Sequence, residues 1–419
     1  MRHFRRIGVV VIYVLFKLNT VQCSAVDCYT QIDPHYWTVD VPSQIHITTD
    51  ADAKRIRNDI IRYLWPEAGW PAHLPTVVTR LSKDDSDERD AANIPDWIST
   101  IGSDNLDEVD RIDIRMDYEL HSYVYHLHPH PKRKINRLLI FHMGHSDDIL
   151  TAGGRETIRY FLAEGFSILT FWMPLFGENT RTAQNVPDHG THTFSSGTAG
   201  HDAMSSVLEN SKGSFIRFFI EPVIVALNYV ETQFDYGDIN MAGISGGGWT
   251  THLCAALDAR IKLSFPVAGS LPLYLRSGPC PNGSKGDAEQ EWPALYEHIA
   301  SWLDIYILGS YGRGRGQVHI LNQYDSCCFW GINYRTFQPI VTEAVNALGE
   351  GFYYLYLDSS HKEHKISHMA IEEVMAQYLL SCGLRHEGDL NNDCVINLED
   401  IVIMASDWLA CGDSSIDCP

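Results

Sequence analysis

Basic residues are scarce in this chain of 419 residues: 32 lysines and arginines stand against 53 aspartates and glutamates, a formal net charge of −21 at pH 7. Such a surface repels phosphate backbones and anionic lipid, which argues against nucleic-acid binding and against a membrane-surface protein. The apolar run Ile7 to Phe16 is only about half as long as the ~20 residues a bilayer-spanning helix needs, so no membrane span is expected. No Cys-x-x-Cys pair occurs among the cysteines, which argues against a zinc ribbon. The body also lacks biased tracts and internal repeats. What is present is ordinary globular composition, 45% apolar and 20% charged, enough to bury a sizeable core in one large domain with smaller attachments.

The chain starts with a basic cluster, Met1-Arg2-His3-Phe4-Arg5-Arg6, followed by the apolar run and then small or polar residues to Ala25. This three-part layout is that of a secretory signal peptide over residues 1–25, with cleavage after Ala25 or Cys23. A secreted or extracytoplasmic location makes disulfides plausible for Cys28, Cys254, Cys280, Cys327, Cys328, Cys382, Cys394, Cys411 and Cys418. Spacing does not give the pairing. Adjacent Cys327 and Cys328 could form a vicinal disulfide, pair elsewhere, or remain buried thiols. Cys394 with Cys411 or Cys418 would staple the C-terminal end.

Residues 26–110 form an N-terminal extension with one clear element, an amphipathic helix from Asp50 to Leu64, ended by Pro66. Residues 83–110 are rich in Asp, Ser and Gly and read as exposed loop. From Arg111 the pattern alternates, first over Ile112 to Met116 and then over Leu120 to Leu127, as in antiparallel edge strands. His126, His128 and His130 would share one face there, read as the wet face of an edge strand rather than a metal site.

A regular β/α alternation follows. Strands are expected at Leu138 to Phe141, Ser167 to Phe171, Ile239 to Ile244, Lys262 to Ala268, Val318 to Asn322 and Phe352 to Leu357. Helices are expected near Arg155 to Ala163, Phe215 to Val230 with an interruption at Pro222, from Trp249, over Phe337 to Leu348, and over Ile366 to Leu380. Continuous apolar strands separated by helices predict an α/β fold: a mostly parallel sheet covered by helices on both faces, spanning residues 111–384. Two insertions interrupt it, near 174–212 and 271–316.

The most specific signal is Gly243-Ile244-Ser245-Gly246-Gly247 between an apolar strand and a helix. A serine on a sharp strand-to-helix turn takes a strained conformation that aims its hydroxyl over the sheet end. Its neighbours two residues away must be small because strand and helix nearly touch, and Gly243 and Gly247 satisfy that. Ser245 is the candidate nucleophile, and the N–H of Gly246 a candidate oxyanion donor. A second donor is expected after Phe141, in His142-Met143-Gly144-His145, from Met143 or Gly144.

A serine hydroxyl needs a histidine base, and that histidine needs a carboxylate to fix its tautomer. Asp325, at the end of the Val318 strand, is the candidate acid. Past the last strand stand two candidate bases: His364, just before the last helix, and His361 as the alternate. His361, His364 and His368 could instead share a helix face and bind a metal, but no acidic or cysteine ligand is paired with them.

With these residues in place, residues 111–384 resemble the α/β-hydrolase superfamily, which includes esterases, lipases and some peptidases. The resemblance rests on Gly243-Ile244-Ser245-Gly246-Gly247, on Asp325 and His364 in that order after strands, and on His142-Met143-Gly144. It implies a serine hydrolase that needs no catalytic cofactor and cleaves carboxylic esters. A peptidase or lipase on the same triad, and an inactive hydrolase fold used for binding or anchoring, are the alternatives. The insertions would cap the site and set specificity.

The C-terminal stretch, 386–419, carries oxygen ligands at calcium-loop spacing: Asp389, Asn391, Asp393, the Val395 carbonyl, Asn397 and Asp400. An apolar helix face follows, with Leu398, Ile401, Val402, Ala405, Trp408 and Leu409. The segment resembles one repeat of a dockerin, the module that docks secreted polysaccharide-degrading enzymes onto cohesins. Cys394 stands where glycine is usual, and one repeat is visible where dockerins carry two. The resemblance implies bound Ca2+, a cohesin-like or cell-surface partner, and an ester substrate on decorated polysaccharide. A calcium-stabilised anchoring tail is the other reading.

Overall fold

Arg137 to His142 and Ser167 to Phe171 are buried at every position, as is Gly316 to Asn322. A strand with no wet face must have protein on both sides, and these strands lie inside a covered sheet. The computed structural model of the chain describes residues 27–82, 95–102, 105–277, 286–380 and 401–402. The expected signal segment and the calcium loop, 388–400, lie outside the described residues.

The strands are β1 (Val77–Ser82), β2 (Leu106–Arg115), β3 (His121–Pro129), β4 (Arg137–His142), β5 (Ser167–Phe171), β6 (Thr182–Val186), β7 (Gly190–Thr193), β8 (Asp238–Ile244), β9 (Ile261–Val267), β10 (Gly316–Asn322) and β11 (Phe352–Asp358). The helices are α1 (Asp50–Leu64), α2 (Asp96–Ser99), α3 (Gly154–Ala163), α4 (Thr198–Val207), α5 (Arg217–Gln233), α6 (Gly246–Leu257), α7 (Ala288–Glu291), α8 (Pro293–Tyr296), α9 (Trp302–Ser310), α10 (Gln338–Ala347) and α11 (Ala376–Leu380). A π-helical turn, Ala370–Met375, leads into α11.

The main sheet has nine strands in the order β1-β2-β3-β5-β4-β8-β9-β10-β11, and β6 with β7 forms a separate hairpin. The pairs β1/β2, β2/β3 and β3/β5 are antiparallel, and every pair from β5/β4 to β10/β11 is parallel. This order, with helical crossovers in the parallel part, is that of an α/β-hydrolase fold. The parallel strands all end on one side, so β4, β8, β10 and β11 deliver their following loops to one edge.

Most expected elements stand where the periodicity puts them. α1 covers Asp50 to Leu64, opened by a Thr49–Asp52 capping box, with Ala53, Ile56, Ile60 and Leu64 buried. Four points differ. First, α5 runs unbroken through Pro222. The lost hydrogen bond and ring clash cost about 3 kcal/mol. Phe218, Phe219, Ile220, Val223, Ile224 and Leu227 are all buried on that helix, at about 1.5–3 kcal/mol each, so burial wins.

Second, β3 is not an edge strand, because β1 and β2 lie outside it. His126 and His128 are buried rather than wet: His128 Nε2 donates to Asp110 at 2.9 Å, and His126 Nε2 meets the Tyr236 hydroxyl at 2.9 Å. Third, α6 begins at Gly246, not near Trp249. Its glycine-rich start is imposed by packing, since a Cβ on Gly247 would lie 2.0 Å from the His142 carbonyl oxygen. Fourth, the stretch 271–316 contains α9, buried throughout and packed on α6, so that part of it is core rather than cap.

Candidate active site

Ser245 sits between β8 and α6 at φ 59°, ψ −124°. For a residue with a side chain this backbone costs about 1–3 kcal/mol and persists only where the surroundings impose it. Here they do. A Cβ on Gly243 would fall 2.3 Å from the Gly247 carbonyl oxygen, and one on Gly248 would fall 2.6 Å from that of Val267. The Ser245 N–H donates to the Val267 carbonyl at 2.9 Å, which locks the turn to β9.

Asp325 lies in the turn after β10 and is buried to 1% exposure. Its carboxylate accepts from the backbone N–H of Cys327 at 2.7 Å and of Cys328 at 3.1 Å, and from Asn322 Nδ2 at 3.0 Å. Both oxygens lie 2.9 Å from His364 Nδ1. A carboxylate only accepts, so Nδ1 carries the proton and Nε2 presents a lone pair. His364 Nε2 is buried and has no hydrogen-bond partner among the described residues.

His361 faces elsewhere. Its Nε2 lies 3.4 Å from Asp358 and its Nδ1 3.5 Å from Glu363. His368 pairs with Glu372 at 2.9 Å on the exposed side of the chain. The three histidines thus turn to different carboxylates and do not gather as a metal site.

Met143 and Gly144 differ in what their N–H groups can do. The Met143 N–H donates to the Phe171 carbonyl at 2.9 Å, continuing the β4–β5 ladder, so it is not free to bind an oxyanion. Met143 is therefore corrected as a donor. Gly144 stays in place: a Cβ there would lie 2.7 Å from Ser245 Cβ and 3.2 Å from the Gly246 nitrogen. Only a glycine lets this loop come so close to the elbow. His142, which opens the loop, is buried and held neutral, its pKa lowered to about 4 by burial although the Met143 carbonyl opposes the shift.

Ser245 and His364 line one cleft of about 370 Å³ together with Met143, Gly144, Cys327 and Cys328. Thr198 enters from the first insertion, Asp287 and Gln290 from the second. Cys327 and Cys328 form a vicinal disulfide on the cleft wall. Cys28 is also disulfide-bonded, and Cys254 is a buried free thiol.

Two features escaped the sequence reading. Asn322 ends β10 and clamps two loops, donating both to Asp325 and, at 3.0 Å, to the Lys365 carbonyl beside His364. No spacing rule announces a link of that kind. The second is the ring of His145, which packs against Gly246 and joins a cluster of acidic and imidazole groups from both insertions.

The chain matches no known protein family and no characterised sequence. Among solved structures it is similar to an acetyl xylan esterase from Thermoanaerobacterium, with 12% identity over 81% of this chain and 96% of that one and a TM-score of 0.49. It is similar to an acetyl xylan esterase from Paenibacillus, with 14% identity over 81% and 97% and a TM-score of 0.44. An S-formylglutathione hydrolase from Agrobacterium tumefaciens is similar at 12% identity over 64% and 93%, with a TM-score of 0.42. At that distance none of them assigns a substrate.

Proposed function

We propose that this chain is an exported serine hydrolase that cleaves small carboxylic esters. Ser245 Oγ attacks the ester carbonyl while His364 Nε2 takes its proton. The tetrahedral oxyanion rests on the N–H of Gly246 and the Gly144 segment. Collapse expels the alcohol, which recovers the proton from His364. Water then enters, gives a proton to His364 as its oxygen bonds to the acyl carbon, and the acid leaves as the acyl–Oγ bond breaks and Ser245 Oγ recovers the proton from His364. Asp325 holds the imidazole in the required tautomer and balances its charge when protonated.

The observation that carries the reading is the paired contact of His364 Nδ1 with both Asp325 oxygens, with Nε2 bare in the cleft that holds Ser245. A full set of groups in this arrangement disfavours an inactive binding protein. A peptidase uses the same groups and is separated by assay.

The C-terminal loop is proposed to bind Ca2+ through Asp389, Asn391, Asp393, Val395, Asn397 and Asp400, and to anchor the enzyme or dock it on a cohesin-like partner. If so, the ester is one that decorates a polysaccharide. The test is hydrolysis of short p-nitrophenyl esters, peptides and long-chain lipids by the full chain and by Ser245→Ala. Turnover of short esters only, lost in folded Ser245→Ala, is expected. Full activity in that variant ends the mechanism.

A further inference from the structure

Four buried or half-buried side chains at and behind the cleft wall have no part in the reaction above; His145 and Asp287 line the cleft, and His201 and Glu289 lie fully buried behind it. His145 comes from the loop after β4 and His201 from α4. Asp287 precedes α7, and Glu289 lies within it. His145 Nε2 is 2.8 Å from Asp287 Oδ2 and 3.2 Å from Glu289 Oε1, and His201 Nδ1 is 3.4 Å from Glu289 Oε1. One donor atom from each of the four lies within 4.8 Å of all the others. Tetrahedral zinc with bonds of about 2.0–2.2 Å sets its ligand atoms about 3.4 Å apart, so small side-chain movements close the set.

The tautomers point the same way. His201 Nε2 lies 2.9 Å from the Pro174 carbonyl, which only accepts, so Nε2 carries the hydrogen. In the neutral ring Nδ1 then faces the cluster with a lone pair, and it has no hydrogen-bond partner among the described residues. Glu289 Oε2 is equally bare, and both residues are 0% exposed. A lone pair turned toward a buried carboxylate is repulsive unless a cation sits between them. A histidine whose far N–H is held by a backbone carbonyl is the usual support of a metal ligand.

Charge closes as well: two neutral imidazoles and two carboxylates cancel a divalent ion. The surroundings are apolar, with Phe176 against both rings and Phe219 against His201.

We propose that His145 Nε2, His201 Nδ1, Asp287 and Glu289 bind one divalent transition metal of the zinc class in a closed, structural site. The metal ties both insertions to the loop that carries Gly144 and so fixes the wall of the cleft beside Ser245. Nitrogen with carboxylate donors in a four-fold set favours Zn2+ over Ca2+ or Mg2+, which want six or more oxygens.

The test uses the full chain, purified without chelator and without a histidine tag, and reads metal rather than turnover. Elemental analysis should find about one zinc per chain. Replacement by Co2+ should give the intense visible absorption of a tetrahedral ion, which six-coordinate cobalt on an all-oxygen calcium loop does not give. Glu289→Gln keeps the shape of the side chain and should lose that absorption, as should His201→Ala. If both variants fail to fold, the wild-type zinc count and cobalt spectrum still decide. Zinc far below stoichiometry with no tetrahedral cobalt band overturns the proposal and leaves an imidazolium–carboxylate network. A band that survives in folded Glu289→Gln and His201→Ala also overturns it.

Discussion

Only one of the two candidate bases after β11 can serve Asp325. His364 Nδ1 reaches both carboxylate oxygens, while His361 lies against Asp358. His364→Ala should therefore lower kcat for a short ester by about 10⁴-fold or more, with His361→Ala within about a factor of a few. Asp325→Asn keeps the shape but would let Nδ1 accept rather than donate, and should cost about 10⁴ in kcat. Steady-state kinetics check all three, and the reverse order for the two histidines would move the base to His361. Ser245, Asp325 and His364 were legible because each closely follows a strand of the parallel sheet, where chain order constrains role. Asn322 was not, because its side chain links groups far apart in sequence. In the sequence His145 stands out only as part of the loop after β4, since Asp287 and Glu289 approach it from an insertion far along the chain.

At the scale of elements, the elbow is a close approach of β8 to α6 rather than a property of one residue. Gly237 immediately precedes β8 and Gly243 lies near its end, and the two differ in this respect. A Cβ on Gly243 would meet backbone 2.3 Å away, whereas on Gly237 the nearest atom, the Asn136 carbonyl oxygen, would be 3.6 Å away. Gly243→Ala should therefore destabilise by about 1–3 kcal/mol or more and lower ester turnover. Gly237→Ala should be neutral or stabilising by up to about 1 kcal/mol, because it mainly restricts the unfolded chain. Urea midpoints of the two variants decide, and equal midpoints would contradict a close-packed elbow. The same contrast explains which elements could be read. Strands buried on both faces declare themselves by continuous apolar runs, but β1 (Val77-Val78-Thr79-Arg80-Leu81-Ser82) mixes polar and apolar residues as an exposed edge does. The helix through Pro222 was misread because local preference is weaker than the burial of its flanks.

Across the whole molecule, several histidines are buried and neutral. Burial lowers His142 to about 4 and His319 to about 3, and pushes His126 and His252 well below the usual value. Their folded pKa lies below the unfolded value of about 6.5, so below that pH the unfolded chain binds protons that the folded one refuses. The contribution of these four histidines to stability is full above about pH 6.5 and falls as the pH drops toward 4. The urea midpoint should decline from pH 7 to pH 5, with a smaller decline in His319→Gln; a flat midpoint would contradict the neutral core. Metal dependence also belongs to this scale, because the two proposed sites lie in different parts of the chain and prefer different chelators. In the proposed calcium loop, Asp389, Asp393 and Asp400 would crowd at like charge without Ca2+, and the expected helix carrying Trp408 would lose its anchor. A calcium-selective chelator should therefore open residues 388–410 to protease and leave ester turnover intact, since no proposed catalytic group lies there. A zinc-selective chelator should do the opposite: spare the tail and loosen the cleft wall around Gly144, lowering kcat. Limited proteolysis and ester kinetics, run in parallel with each chelator, separate the two. Loss of turnover under the calcium-selective reagent alone would show that the tail and the catalytic body are coupled, which the separation of their residues along the chain gives no reason to expect.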